Sequence, residues 1–403
     1  MTTPNDAPRG SAPAARLSAD FFAFQQLLTE TEQRALAELR EFFDSEIRPF
    51  ADDYWERAEP PKHLLARAAE MGMFRHAFPD YAPFENSAVF RGWVAMELAS
   101  ADPSTATLIG VHSGLAMGAI SVGGSEAQRA EWMPRLVTGE QIGAFGLTEP
   151  NHGSDTAKGL ETTAERRGDE WVLNGAKRWI GNAVFADFVV IWARDLADNH
   201  VKGFIVRTPA AGFTATKIER KQSMRAVENA DIVLDNVIVP EHDRLQNVSS
   251  FREVAEVLRQ ARAGVGWQAV GVSIAAYEAA LAYAKQREQF GKPIASFQLV
   301  QLKLSESLAN ITASLALCVR ASQLQDEGSQ SDEHAAMVKA FTTARMRDTV
   351  AMCRDICGGN GIQLDYGVAR YFADAETVYT FDGTYDMNSL VVGRAITGIA
   401  AFT

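Results

Sequence analysis

The order of hydrophobic and polar positions divides the chain into three stretches. From about Asp20 to Thr138, Leu28, Glu32, Leu36, Leu39 and Phe43 follow at steps of three and four residues. Similar periods run through Val94 to Ala101 and Ala106 to Ile120. Such spacing puts these positions on one face of a helix. Thr29 followed by Glu32 has the spacing of a capping box and predicts a helix start there. Near Gly139 the texture changes. From Ala144 to Arg244, β-rich runs such as Trp171-Val172-Leu173, Phe188 to Trp192 and Ile232-Val233-Leu234 alternate with turn formers. Asn174-Gly175 and Asp235-Asn236 are expected to be turns that separate strands. From Phe251 onward helical patterning returns. Gln260 to Gln286 and Phe297 to Gln325 are long, rich in Ala and Leu, and nearly free of Gly and Pro after Gly271. Their wide apolar stripes predict a bundle with faces left over for a neighbouring subunit. The expected division is a lead-in over 1–19, a helical domain over 20–140, a β-domain over 141–247 and a second helical domain over 248–403.

Composition narrows what such a chain does. Its 403 residues suffice for two or three domains, and 47% hydrophobic with 22% charged residues is ordinary for a globular α+β multidomain protein. A net charge of −12 argues against a nucleic-acid partner, while leaving room for a nucleotide held by a few local cations. Met1 to Ser18 lacks an apolar core and reads as a disordered lead-in, not a signal peptide. No run of eighteen apolar residues occurs, so no membrane span is expected, and Ala401-Phe402-Thr403 is not a peroxisomal address. Cys353 and Cys357 share a helix face, but with only Cys318 besides, ordinary packing is favoured over a metal half-site or redox pair. Reduced thiols fit a cytoplasmic protein.

The candidate chemistry sits in a few punctuated segments. Gly358-Gly359-Asn360-Gly361 follows a helix, and its residues alone favour a C-cap and turn over a backbone approached by phosphate. Leu147 to Asp155 opens the β-domain and sets Thr148 and Ser154 at a domain junction, where ligand sites are common; a bland loop stays open as the alternative. Trp179-Ile180-Gly181-Asn182 puts an indole beside a turn, suited to covering a flat ring, although an isolated Trp is more often core. The histidines form no ligand pair, so no metal is expected, and His152 is expected to be solvated. No serine or cysteine carries a nucleophile signature, which leaves hydrolysis with little support.

Taken jointly, several segments carry a resemblance. They are Gly146 to Pro150 with Gly153-Ser154-Asp155, Lys177 to Asn182, Arg287 to Gly291, Gly358 to Gly361, and Gly383 to Asp386 with Gly393 to Gly398. Their order and spacing resemble the acyl-CoA dehydrogenase family from about residue 25 to the end. Within it, the sequence is most similar to glutaryl-CoA dehydrogenases and the short-chain acyl-CoA oxidases of plant peroxisomes. The resemblance implies an N-terminal α-helical domain, a middle β-barrel domain and a C-terminal four-helix bundle, assembled as a homotetramer. It implies FAD, with Phe145, Leu147, Thr148, Trp179, Ile180 and Gly181 lining the flavin ring. Arg287, Phe290 and Gln298 match positions that hold FAD near or across a subunit interface. Asp355, Gly358 and Gly359 would meet the FAD of a neighbouring subunit, and Thr384, Asp386 and Phe402 would complete the site. Ser154, Arg262 and Gly383 resemble substrate-contacting positions. The implied reaction takes the α-proton from an acyl-CoA or acyl-carrier thioester while the β-hydrogen leaves as hydride to flavin. An electron-acceptor flavoprotein or O₂ would then reoxidise the cofactor.

Two departures from the family pattern bear on that reaction. Relatives have Glu-Gly-Thr where this chain has Asp382-Gly383-Thr384, so a base one methylene shorter stands at the catalytic position. Some branches carry the base just before an Arg that matches Arg262, but here that residue is Ala261. A carboxylate in a dry pocket has its pKa raised toward neutrality, which suits a base. The Arg that grips a distal carboxylate in glutaryl-CoA dehydrogenases is replaced by Ala106, followed by Thr107. A charged acyl tail would lack a partner, so a short, uncharged acyl chain is expected. The expected function is α,β-dehydrogenation with Asp382 as base. The alternatives are an acyl-CoA oxidase or other O₂-using flavin reaction, and a weakly active flavin- or acyl-CoA-binding protein.

Overall fold

The computed structural model describes residues 19–401. Phe402 and the expected lead-in up to Ser18 lie outside the described residues, while Ala19 is buried in the core. The first part holds α1 (Glu30–Phe42), α2 (Ala51–Arg57), α3 (His63–Glu70), α4 (Ala88–Ala101), α5 (Pro103–Gly110), α6 (Met117–Gly123) and α7 (Glu126–Val137). The capping box forms: Thr29 Oγ1 accepts from Glu32 N, and Glu32 Oε2 accepts from Thr29 N at 2.8 Å. Glu32 sits on the apolar face because its second oxygen accepts from both Ser87 N and Ser87 Oγ at 2.7 Å, where Ser87 caps α4. One buried carboxylate thereby joins the starts of two helices. Between α5 and α6 the chain keeps turning through a π-helical segment, Val111–Ala116. Such widened turns recur at functional sites.

The middle part is a curled seven-stranded sheet. Its strands are β1 (Gly143–Gly146), β2 (Thr163–Arg167), β3 (Glu170–Gly181), β4 (Phe188–Asp195), β5 (Val201–Arg207), β6 (Phe213–Lys217) and β7 (Asn229–Pro240), with a single helical turn α8 (Thr156–Gly159) after β1. The order is β1-β4-β2-β3-β7-β6, with β5 on β4. Asn174-Gly175 and Asp235-Asn236 do not separate strands, contrary to the expectation from sequence. They lie inside β3 and β7, where the register slips between Leu173 and Gly175. Asn236 adopts φ 53° and its N–H donates to Asn174 Oδ1 at 2.8 Å. A Cβ on Gly175 would stand 2.7 Å from Thr162 Cα. Residues that accept unusual φ serve turns and bulges equally, and here the bulge bends the long ribbon so that the sheet curls.

The last part holds α9 (Phe251–Gln286), the short hairpin β8 (Glu288–Gln289) and β9 (Lys292–Pro293), then α10 (Gln298–Asp326), α11 (Asp332–Ile356), α12 (Ala369–Thr380) and α13 (Tyr385–Thr397). Helix α9 begins nine residues before the expected Gln260, because Ser250 and Glu253 form a capping box. The two helical parts share one core. Helix α9 packs against α4 as well as α10 and α11, and a Cβ on Gly271 would lie 2.0 Å from Met96 O. Leu36, Trp93 and Trp267 belong to the same buried cluster as Val350 and Val378. Two helical stretches, Pro103–Gly123 and Gln298–Asp326, are long and apolar enough by length and composition to cross a membrane. In this fold their apolar windows are 61% and 39% buried, and both pack in the shared helical core. Cys318, Cys353 and Cys357 are free and buried, and burial pushes the Cys353 thiol up to about 12, as packing residues require.

Candidate active site

After β1 the chain runs beside β3 and is spliced to it by a buried lysine. Arg178 N donates to Thr148 O at 2.8 Å, and Lys177 Nζ donates to Leu147 O at 3.1 Å and Glu149 Oε1 at 2.8 Å. Lys177 is 0% exposed, and Glu149 accepts further from Glu161 N (2.6 Å) and Thr162 N (2.9 Å). Burial pushes Lys177 down to about 8 against the pull of Glu149. Burial would raise Glu149, but Lys177 and the donors around it hold the carboxyl below its usual range. The splice brings Phe145, Leu147 and Thr148 beside Trp179, Ile180 and Gly181. Phe145, Leu147 and Ile180 are buried, whereas Trp179, at φ 65°, leaves its indole 50% exposed with the Arg178 guanidinium 5.1 Å from the ring centroid. Trp179 is therefore not core, which favours the ring-covering reading. Gly181 abuts the π-helical turn, since a Cβ there would lie 3.0 Å from Val111 Cγ2.

The loop carrying Ser154 is tied down rather than simply solvated. His152 Nδ1 lies 2.9 Å from Asp155 Oδ2 and His152 Nε2 lies 3.3 Å from Glu161 Oε1. The Asp155 hydrogen bond raises the histidine above its ordinary pKa. His152 is thus a partly exposed loop residue, as expected from sequence, that also ties the loop together. Ser154 itself is exposed.

Arg287, Phe290, Gln298 and the Gly358 turn form a second group at the end of α9. Arg287 N donates to Tyr283 O at 2.8 Å, and Asn360 Nδ2 donates to Tyr283 Oη at 3.0 Å, so one tyrosine joins the hairpin to the glycine turn. Phe290 is 92% exposed and meets Phe297 edge-on at 6.0 Å. Gly358, at φ 59°, and Gly359 have open space where a Cβ would stand. Gly361 does not, because a Cβ would press to 2.3 Å on Arg354 O. The segment is thus a tight turn with two glycines that leave the backbone open to a ligand. Asp355 is paired with Lys303. Among the described residues, no hydrogen bond joins this group to the Trp179 group.

The third group surrounds Asp382. After α12 the chain turns through Asp382 at φ 53° and Gly383 at φ 87°, and Thr384 caps α13 by accepting from Met387 N at 3.2 Å. Left-handed backbone at a non-glycine residue costs on the order of 1–3 kcal/mol and persists where surrounding contacts over-determine it. Those contacts are present. Lys339 Nζ donates to Tyr379 O at 2.6 Å and Gly383 O at 2.7 Å, and Asn388 Nδ2 donates to Gly383 O at 2.9 Å and Thr384 O at 3.0 Å. Burial pushes the Asp382 carboxyl up, opposed by the charges of Lys339 and Arg262. Arg262 Nε is buried without a hydrogen-bond partner among the described residues. Asp386 is exposed in the first turn of α13. Lys339 escaped the reading of the sequence; its one local signal is a cation inside the apolar run Ala335-Ala336-Met337-Val338 and Ala340.

An unforeseen buried acid, Asp374, lies on α12. Asp374 Oδ1 accepts from Trp55 Nε1 at 2.8 Å and Met224 N at 2.6 Å, and burial pushes its carboxyl up to about 7. One turn earlier, buried Arg370 pairs with Asp102 and Asp52, both at 2.7 Å. Helix α12 is thereby clamped to the other two parts of the chain before it delivers Asp382.

The donor set fits FAD. An exposed indole with apolar neighbours suits a flat ring, the Arg287 guanidinium suits a pyrophosphate, and the open backbone at Gly358 and Gly359 suits close approach by a ligand. Residues 29–140, 144–237 and 251–397 match the N-terminal, middle and C-terminal domains of acyl-CoA dehydrogenase. "Probable acyl-CoA dehydrogenase YngJ" of Bacillus subtilis (strain 168) is 32% identical over 376 residues, which cover 92% of this chain and 98% of that protein. The "3-(aryl)acrylate reductase" of Clostridium sporogenes (strain ATCC 15579) is 32% identical over 371 residues, 90% of this chain and 98% of that protein. Among solved structures, a glutaryl-CoA dehydrogenase from Mycobacterium smegmatis in complex with FADH2 has a TM-score of 0.91 at 34% identity, covering 95% of this chain and 98% of that one. With all three domains matched in order, the chain belongs to the acyl-CoA dehydrogenase family and is an FAD-dependent oxidoreductase that acts on CH–CH groups.

Proposed function

We propose that this protein dehydrogenates a short, uncharged acyl-CoA thioester, with Asp382 as the base that removes the α-proton. One feature carries the reading: Asp382 stands on the clamped left-handed turn after α12, where burial pushes its carboxyl up, two cations act on it and, among the described residues, no hydrogen bond reaches it. An acid so placed is ionised when needed and still basic enough to take a proton. FAD, when bound, accepts the hydride that leaves the β-carbon. The chain's own part is to orient and exclude. Trp179, Phe145 and Leu147 shield the ring site, the clamped turn aims the carboxylate, and the Asp382 N–H, with no backbone acceptor among the described residues, is the proposed donor to the thioester oxygen.

The substrate reading rests on α5. Ala106 is buried and the Thr107 hydroxyl is committed to Pro103 O at 2.9 Å, so that position offers no cation to a distal carboxylate. On sequence resemblance we place the chain nearest the glutaryl-CoA dehydrogenase and plant-type short-chain acyl-CoA oxidase branch, with Ser154 and Arg262 toward the CoA moiety. We also propose a homotetramer. Leu299, Leu302, Met337, Phe341 and Ile396 are exposed apolar residues on α10, α11 and α13, and the groove between α11 and α13 is lined by Met337, Phe341 and Ile396. In that assembly Asp355, Gly358 and Gly359 would approach a neighbour's FAD.

Anaerobic mixing of the FAD-loaded protein with butyryl-, isobutyryl-, glutaryl- and longer acyl-CoAs tests the reading. Bleaching of the flavin band by the short uncharged thioesters is expected. Faster bleaching by glutaryl-CoA overturns the substrate reading, and no bleaching by any thioester overturns the reaction. Peroxide release in air separates O₂ from an electron-transferring flavoprotein as acceptor, and sedimentation tests the tetramer.

A further inference from the structure

We infer that Lys339 is the positioning residue for the base: it clamps the backbone on both sides of Asp382 and is one of the two cations that act on its carboxylate. This rests on Asp382 being the base. Lys339 is 0% exposed, in the middle of α11. A buried ammonium costs several kcal/mol unless it is satisfied, so its position calls for a reason. The fold satisfies it on main chain. Its Nζ donates to Tyr379 O and Gly383 O, carbonyls that bracket Asp382, while Asn388 holds Gly383 O from the α13 side.

The geometry matters more for an aspartate than for a longer acid. Asp382 has one torsion fewer with which to correct its reach, so drift of the 381–383 turn passes directly into the carboxylate position. The turn is left-handed at both Asp382 and Gly383 and would relax if its clamps were removed. The charge acts along the same line. Lys339 faces Asp382 from α11 and Arg262 faces it from α9, while Asp332 at the head of α11 faces Arg262. From α12, the Tyr379 ring lies 5.9 Å from Lys339 Nζ and is covered by Arg347 at 4.4 Å. Burial pushes Lys339 down to about 8 against the pull of Asp382, so it remains cationic at neutral pH.

The test compares FAD-loaded wild type, Lys339→Met, Lys339→Arg and Asp382→Asn in anaerobic stopped flow with saturating butyryl-CoA across pH. For Lys339→Met, the bleaching rate is expected to fall about a hundredfold, the scale of a misplacement of about 1 Å. Its acidic limb is expected to move to higher pH because a cation favouring ionised Asp382 is gone, with FAD content and thioester affinity within about twofold of wild type. Lys339→Arg is expected to restore the limb but not the full rate, since it keeps the charge and loses the two-carbonyl fit. A Lys339→Met protein with wild-type rate and pH limb overturns the inference. If Lys339→Met does not retain FAD, a full-speed Lys339→Arg protein overturns it instead. Asp382→Asn bleaching at wild-type rate sinks the base assignment itself, whereas an inert Asp382→Asn beside a normal Lys339→Met sinks only the role of Lys339.

Discussion

In the β-domain, Lys177 gives its ammonium protons to Glu149 and Leu147 O, and Glu149 fills its remaining capacity with two backbone amides. In the helical bundle, Lys339 is as deeply buried but donates to two carbonyls, leaving Asp382 with charge nearby and, among the described residues, no hydrogen bond. Both regions bury a lysine near a carboxylate. The first pair is saturated, so its acid is held low and inert, and it serves as a splice between β1 and β3. The second is deliberately incomplete at the carboxylate, so burial raises its pKa and leaves a lone pair for a proton. Hydrogen-bond satisfaction, not proximity of charge alone, separates the acid held low from the acid pushed up, and under the proposed function the second is the base.

The sharpest way to break that comparison is to neutralise each acid. Asp382→Asn is expected to lower the flavin bleaching rate by about 10²–10⁴-fold, the usual share of a general base, with FAD retained. Equal turnover in that variant would show that proton transfer runs elsewhere. On the structural side, Lys177→Met leaves Glu149 buried and unpaired, a loss of about 3–5 kcal/mol. Urea unfolding should show it, and adding Glu149→Gln should recover part of it. A Lys177→Met protein as stable as wild type would remove the distinction between the two regions.

Smaller effects sharpen the picture. Asp382→Glu overshoots a turn fitted to the shorter acid and is expected to cost up to about a hundredfold in bleaching rate. A gain would mean that the framework still suits glutamate. Asp374 offers a third case, a buried acid raised to about 7 from an ordinary 3.8. A raised folded pKa contributes stability that is full below about pH 4 and is lost as pH rises through about 7. Asp374→Asn, neutral throughout, should flatten stability against pH over that window, and an unchanged slope would count against the assignment. The smallest stability effect belongs to Trp179→Ala, within about 0.5 kcal/mol because the indole is half exposed. Its loss should appear in weakened FAD retention, read by equilibrium dialysis.

Much of the architecture was legible because it is written locally. The Thr29–Glu32 box, the continuous apolar run at Phe188 and the long Ala-rich helices each depend on residues within a turn or a few positions of one another. Asp382 was legible for the same reason, standing in a short ordered motif before Gly383-Thr384. Asn174-Gly175 misled because a positive-φ pair marks a bulge as readily as a turn, and only the facing strand decides between them. The tie from His152 to Glu161, nine residues on, was not legible because it lies beyond the motif.

The sequence by itself determined the three-part order, the helix caps, the segments that place the chain in its family and the aspartate before Gly383-Thr384. Tertiary structure alone decided what that acid experiences. Lys339 meets Gly383 O across 44 residues, Trp55 meets Asp374 across 319, and Arg262 reaches Asp382 from another helix. Burial and hydrogen-bond satisfaction depend on every element packed around a group, and no local pattern encodes them. The presence of an aspartate at this turn is therefore a property of the chain, while the surroundings of its carboxylate are a property of the fold.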